Sequence, residues 1–266
     1  MGEWLKKIFP RRRLAVVVLF VEYDRGLAGG AEHAFVTLRR YLSQVSGCRM
    51  SFVRIDNRNE GLATRRDGPV VTVGGDNRYR EFSGWQRGVE AIARLKLPCE
   101  VLLLVNDMFL APGESFLKDY ARLELFETAL RQGLVIGRID SAGEGLAAYD
   151  YDLSRWVCSN CLLAPKAAVD RIGNLVTLGE EIDDFLPREF PGGPPFFKAS
   201  APINEAYRQW LVTWLTSRWH SRFTVDARTW ETFRAKVRNI LNESLLTARF
   251  AQAGFAAQSY GDKKYY

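Results

Sequence analysis

Four cysteines in 266 residues are too few for a disulfide framework. The two histidines, His33 and His220, are far apart in sequence. Cys158-x-x-Cys161 therefore finds neither a second cysteine pair nor nearby imidazoles to complete a zinc site. Its odd spacing on a strand would point the thiols to opposite faces, a packing arrangement. No apolar run approaches the ~18 residues that a membrane span needs. The best candidate, 14–21, is about half of that and reads as a strand. Basic residues lead directly into it without a cleavage-like segment, so no signal peptide is expected and the expected location is the cytoplasm. There is no internal repeat, no low-complexity segment, no dinucleotide G-x-G-x-x-G and no phosphate loop. Nor is there a recognisable nucleic-acid-binding motif, so nucleic acid is not an expected partner.

What is present suits a globular protein. Hydrophobic residues make up 47% and charged ones 26%, enough for a sizeable core in one large α/β domain or a domain with an appendage. The net charge of +6 is uneven. Lys6, Lys7, Arg11, Arg12 and Arg13 face a single Glu3 before residue 14. Within 1–13, Trp4, Leu5, Ile8 and Phe9 alternate with these cations. That segment is either a peripheral foot on the anionic cytoplasmic face of a membrane or a solvated terminus.

Strand patterns at 14–23, 51–56, 70–73, 101–105 and 134–139 alternate with helical patterns at 31–45, 84–97 and 115–132. This alternation predicts a mostly parallel, doubly wound sheet. A strand at 155–163 and a short helix at 166–172 follow. The stretch 187–202, rich in proline and glycine, reads as a lid or acceptor-binding loop. Two helical segments, 203–219 and 227–253, close the chain. Their aromatic stripes suit core packing or, alternatively, a membrane-facing surface.

Three clusters carry candidate chemistry. The first is the stretch 101–109, an apolar run that stops at Asn106-Asp107. An acid at the carboxyl end of a buried strand sits where open α/β sheets bind ligands. It can hold a divalent cation or cap the following turn. The second is Gly74-Gly75-Asp76-Asn77-Arg78-Tyr79-Arg80 leading to Ser83-Gly84-Trp85. It offers close backbone approach and guanidinium groups to a phosphate, or else is a turn before a helix capped by Ser83. The third, Gly179-Glu180-Glu181-Ile182-Asp183-Asp184, is either a general-base segment or the acidic start of a helix.

Taken in order, these clusters resemble a family 2-type glycosyltransferase of the GT-A fold. They are similar to the transferases that build bacterial surface polysaccharide, rhamnan-type enzymes among them. Asn106-Asp107 stands where that family carries an aspartate pair or triad. Cys158-Ser159-Asn160-Cys161-Leu162-Leu163, then Ile172-Gly173-Asn174-Leu175, then Gly179-Glu180-Glu181-Ile182-Asp183 follows its later segments. The Gly75-Asp76-Asn77…Gly84-Trp85…Gly88 run is similar to its donor-contacting segment. The resemblance spans about 14–190, with Asn106 in place of a carboxylate and Glu181 where the family usually has Asp.

The resemblance implies a GT-A-like domain over 14–202, preceded by the 1–13 segment and followed by a helical extension over 203–266. It implies sugar transfer from a nucleotide-sugar donor to a hydroxyl of a glycan or lipid-linked glycan, inverting by direct displacement, in lipopolysaccharide or capsule synthesis. Glu181, with Glu180 and Asp183, would be catalytic. Tyr23, Asp24, Asp76, Asn77, Arg80, Trp85, Asn106 and Asp107 would contact the donor, with Asp107 a ligand of Mg²⁺ or Mn²⁺. The alternatives are a non-catalytic glycosyltransferase-like module and a sugar nucleotidyltransferase.

Overall fold

The computed structural model describes residues 13–23, 30–110, 115–217 and 224–260. The segment 1–12, with the membrane contact expected of it, lies outside the described residues. Among those residues no helix is long and apolar enough to cross a membrane.

Strand β1 (Leu14–Glu22) is followed by α1 (Gly30–Leu42), β2 (Cys48–Asp56), β3 (Arg65–Asp67), β4 (Val70–Gly74) and α2 (Glu81–Arg94). Next come β5 (Val101–Asn106), a 3₁₀ turn (Asp107–Leu110), α3 (Ser115–Tyr120), α4 (Leu123–Gln132) and β6 (Leu134–Ser141). A small hairpin, β7 (Ala147–Ala148) and β8 (Tyr151–Asp152), precedes β9 (Arg155–Pro165), α5 (Lys166–Ile172) and α6 (Ile182–Phe185). The chain closes with α7 (Glu205–Ser217), α8 (Trp230–Gln252) and β10 (Ala256–Ser259).

Eight strands form one mixed, mostly parallel sheet in the order β10-β6-β9-β5-β1-β2-β4-β3. Strand β1 pairs in parallel with β2 on one side and β5 on the other. Strand β9 runs antiparallel to both β5 and β6, and β3 is an antiparallel edge. The continuous apolar runs of β1 and β5 follow from this position, since a central strand is covered on both faces. Val17, Leu19 and Val21 face a core built with Trp85 and Ile92 of α2 and Leu246 and Phe250 of α8. Val16, Val18 and Phe20 face the opposite core, with Phe35 and Leu38 of α1 and Phe126 of α4. Helix α2 sits close on β1 because Gly84 and Gly88 face it: a Cβ on either would come within 2.8 and 2.9 Å of Val21 and Leu19 side-chain carbons.

Four expectations are corrected. Helix α2 begins at Glu81, three residues before the expected start. Ser83 is not its cap; its hydroxyl accepts the Tyr79 N–H (3.1 Å) and donates to the Arg80 carbonyl (3.2 Å). The helix expected over 115–132 divides between Tyr120 and Leu123. The C-terminal extension is not purely helical, because β10 joins the sheet in parallel beside β6. Within 187–202, Phe196 and Phe197 are buried in a third core with Trp230 and Phe233, while most of the other residues are exposed. The Trp230 indole donates to the Arg188 carbonyl at 3.1 Å. Aromatic burial anchors the loop at Phe196 and Phe197.

All four cysteines are free thiols. Cys161 joins the core on the α1 and α4 face, while Cys158 accepts a hydrogen bond from Arg138 Nε at 3.2 Å. Burial pushes both thiols well above their ordinary range.

Candidate active site

The carboxyl ends of β1, β2, β4 and β5 lie on one edge of the sheet. From β1 the chain winds outward through β2 and β4, then returns to β5 on the other side. The switch point is therefore between β1 and β5, where a crevice forms in folds of this kind.

Asp107 stands at that point but turns inward. It is fully buried, and its Oδ2 accepts the Tyr23 N–H at 2.6 Å, which ties the end of β1 to the end of β5. Asn106 is committed too: Oδ1 accepts the Met108 N–H (3.1 Å) and Nδ2 donates to the Ser159 carbonyl (3.2 Å). Asp24 lies outside the described residues. Among the described residues no group of three or more His, Cys, Asp or Glu side chains could hold a metal ion. An oxygen-ligand site for a divalent cation needs several convergent groups; Asp107 is buried, with one of its oxygens taken by the Tyr23 N–H. Asp107→Ala should cost about 2 kcal/mol of stability in EDTA, the penalty for a buried amide deprived of its acceptor. Asp107→Asn, which keeps an oxygen there, should recover most of that. A loss below about 0.5 kcal/mol in urea denaturation would remove the anchoring role.

Outside this anchor lies a cleft of about 290 Å³ between the strand ends and the last two helices. Tyr23, Arg80, Glu81 and Asn106 line it from the sheet side, and Lys236 and Asn239 from α8. Met108, Trp214, Leu215 and Ile240 supply its apolar wall. The Tyr23 hydroxyl donates to Glu81 Oε2 at 3.2 Å. Glu81 Oε1 accepts the Ser159 hydroxyl (2.8 Å) and Asn239 Nδ2 (3.4 Å). Ser159 also donates its backbone N–H to Glu243, whose second oxygen accepts the Trp156 indole N–H at 3.1 Å. Burial, with the Glu81 and Asp140 carboxylates nearby, pushes Glu243 up to about 7.

The Gly-Asp-Asn-Arg turn is held from β2. Asn57, fully buried, donates Nδ2 to the Arg80 carbonyl (3.0 Å) and to Asn77 Oδ1 (3.3 Å), and its Oδ1 accepts the Asn77 N–H (3.0 Å). A Cβ on Gly75 would lie 2.3 Å from Asn57 Oδ1, so only glycine leaves room for this clamp. Trp85 does not reach a ligand. It is fully buried, with its indole donating to the Val105 carbonyl at 3.2 Å.

A larger cleft, about 480 Å³, opens between α2 and the 174–181 loop. It brings Asp76, Arg78 and Tyr79 of the second cluster to Glu180 and Glu181 of the third. The three candidate carboxylates differ in how they are held. Glu180 accepts from Arg78 (2.8 Å) and the Tyr79 hydroxyl (3.1 Å), which hold it below the ordinary carboxylate range. Asp183 is paired with Arg188 at 2.6 Å and with Arg234, and Arg188 chiefly holds it low. Glu181 is exposed and accepts the Gly179 N–H through Oε2 at 2.8 Å. Its Oε1 makes no hydrogen bond among the described residues.

Six of the expected residues line two clefts, Tyr23, Arg80 and Asn106 the smaller and Asp76, Glu180 and Glu181 the larger, whereas Asn77, Trp85, Asp107 and Asp183 line neither. Asn57, Glu81, Lys236, Asn239 and Glu243 were not expected. Lys236, Asn239 and Glu243 fall at i, i+3 and i+7, a polar line beside the apolar stripe of α8 that periodicity could have flagged. No protein-family model matches the chain, and no curated protein sequence matches it.

Proposed function

We propose that this protein is a glycosyltransferase that moves a sugar from a nucleotide-diphosphate donor to a hydroxyl of a glycan or lipid-linked glycan. One observation carries the reading: at the β1/β5 switch point a cleft presents Arg80 and Lys236 beside Tyr23 and Asn106, and the Glu181 carboxylate stands in the adjoining cleft. Two cations at a switch point suit a diphosphate. As the bond to the transferred sugar breaks, negative charge builds on the leaving diphosphate, and Arg80 and Lys236 offset it. Glu181 takes the proton of the attacking acceptor hydroxyl, which favours inversion by direct displacement. Asp76 and the Asn77 turn line the approach between donor and acceptor.

A panel of nucleotide sugars, tested with and without Mn²⁺, checks this by thermal stabilisation. A donor at about 100 times its Kd should add roughly 2.7 kcal/mol to stability. In a chain of this size that raises Tm by about 5–10 °C. No shift with any member of the panel under either condition would overturn the proposal. Binding without sugar transfer would instead favour a non-catalytic, glycosyltransferase-like module. The commitment of Glu180 and Asp183 to arginines is the observation on that side.

A further inference from the structure

Arg80 occupies a backbone position that glycine normally fills. Its φ of 54° and ψ of −134°, with the Phe82 N–H bonded to the Tyr79 carbonyl at 3.3 Å, make residues 79–82 a type II′ turn with Arg80 at its first central position. A side chain there crowds its own backbone, and such conformations persist only where the surroundings impose them. The surroundings do so. The Arg80 carbonyl accepts Asn57 Nδ2 (3.0 Å), the Ser83 hydroxyl (3.2 Å) and the Gly84 N–H (3.3 Å). Asn57 also fixes the preceding residue of positive φ, Asn77, through its backbone N–H at 3.0 Å. The guanidinium has no ion pair or hydrogen bond among the described residues, yet it lines the cleft that Lys236 enters from α8.

We infer that Asn57 is a positioning residue, locking Arg80 in a costly conformation so that its guanidinium meets the diphosphate of an incoming ligand. The inference deepens the proposed donor site and rests on it for the identity of the anion. The conformational part stands on geometry alone. Glycine at 80 would relieve the crowding without the charge, while arginine keeps the charge and bears the crowding. An arginine at a position that glycine would fill without crowding gives up stability to set a charge at the cleft.

The test uses the full chain, Arg80→Gly, Asn57→Ala and the double variant, with inorganic pyrophosphate as probe and calorimetry and Tm as readouts. Arg80→Gly should raise Tm by about 2–4 °C, because relief of strain exceeds the entropy cost of glycine. The same variant should weaken pyrophosphate binding about tenfold, as expected for loss of a charge-assisted bidentate contact. Asn57→Ala should lower Tm and weaken binding several-fold. In the Arg80→Gly background it should still lower Tm but weaken binding no further, since it acts through Arg80. Should Asn57→Ala fail to fold, Asn57→Asp replaces it; it keeps the shape and the acceptor for Asn77 but sets an oxygen against the Arg80 carbonyl. Equal weakening of binding by the Asn57 substitution in both backgrounds would overturn the positioning role. An Arg80→Gly protein no more stable than the parent would overturn the strain. Absence of pyrophosphate binding by the parent chain would overturn the diphosphate reading, while the Tm comparison would still judge the strain.

Discussion

Glu181→Gln should reduce sugar transfer by about 10²–10⁴, the usual contribution of a positioned general base, while leaving the donor-induced thermal shift within about 1 °C of the parent. The separation follows from geometry. Glutamine at 181 keeps an oxygen for the Gly179 N–H, which Glu181 Oε2 accepts at 2.8 Å, so the loop before α6 retains its bond. What disappears is the basic oxygen facing the larger cleft. The neighbouring acids are poor substitutes. Glu180 is bound to Arg78 and Tyr79, and Asp183 to Arg188 and Arg234, and both sit below the ordinary carboxylate range. A carboxylate stabilised in its charged form is a weaker base. Once a donor is identified, initial-rate assays at fixed donor and acceptor decide the matter. Transfer above about one third of the parent rate would remove Glu181 from the chemistry.

The central strands were legible because burial on both faces leaves a mark that sequence can carry. The apolar runs of β1 and β5 admit few other readings, and the turn signal after β4 marked a helix that faces the sheet, although that helix starts three residues earlier than expected. Other features depend on partners distant in the chain. Asp107 reads as a ligand-facing acid because nothing near it in sequence announces the Tyr23 amide, 84 residues away. Asn57 reads as the first residue of a polar loop, yet the three hydrogen bonds of its side chain go to residues 77 and 80. Proline and glycine in 187–202 suggested a lid or acceptor-binding loop, and Phe196 and Phe197 are the side chains that anchor it to the third core. Strand β10 is exposed at every residue, so no apolar alternation marks it; backbone pairing with β6 and the flanking Phe255 and Tyr260, packed on the two cores, place it.

The two-cleft arrangement follows from the same long-range logic. The 76–81 turn gives Asp76, Arg78 and Tyr79 to the larger cleft and Arg80 and Glu81 to the smaller. Reversal of side-chain direction within so short a segment is what its two residues of positive φ, Asn77 and Arg80, accomplish. In a regular helix or strand the same residues would follow a fixed periodicity. Under the proposed transfer, this division would let donor and acceptor approach from different clefts, as in-line displacement needs attacking and leaving oxygens on opposite sides of the reacting carbon.

Stability should fall by about 3 kcal/mol between pH 4.5 and pH 7.5, and Glu243 should be the cause. Folding raises its carboxyl from an ordinary value near 4.5 to about 7, chiefly because burial disfavours the charge. Between those values the folded chain binds a proton more tightly than the unfolded chain. The contribution is therefore fully present below about pH 4.5 and lost as pH rises through about 7. The facing charged groups act in the same sense: Glu81 on α2 and Asp140 on β6 both oppose ionisation, whereas the Ser159 N–H favours it. The Ser159 hydroxyl links this pair onward to the cleft, since it donates to Glu81, which in turn holds the Tyr23 hydroxyl. Urea denaturation of the parent and of Glu243→Gln across this range isolates the effect of Glu243 and of its coupling to Glu81 and Asp140, because groups remote from it contribute equally to both proteins. The variant should lose most of the slope. A slope that survives the substitution unchanged would show that the Glu81–Ser159–Glu243 cluster keeps Glu243 ionised throughout, with its two N–H donors outweighing the cost of burial.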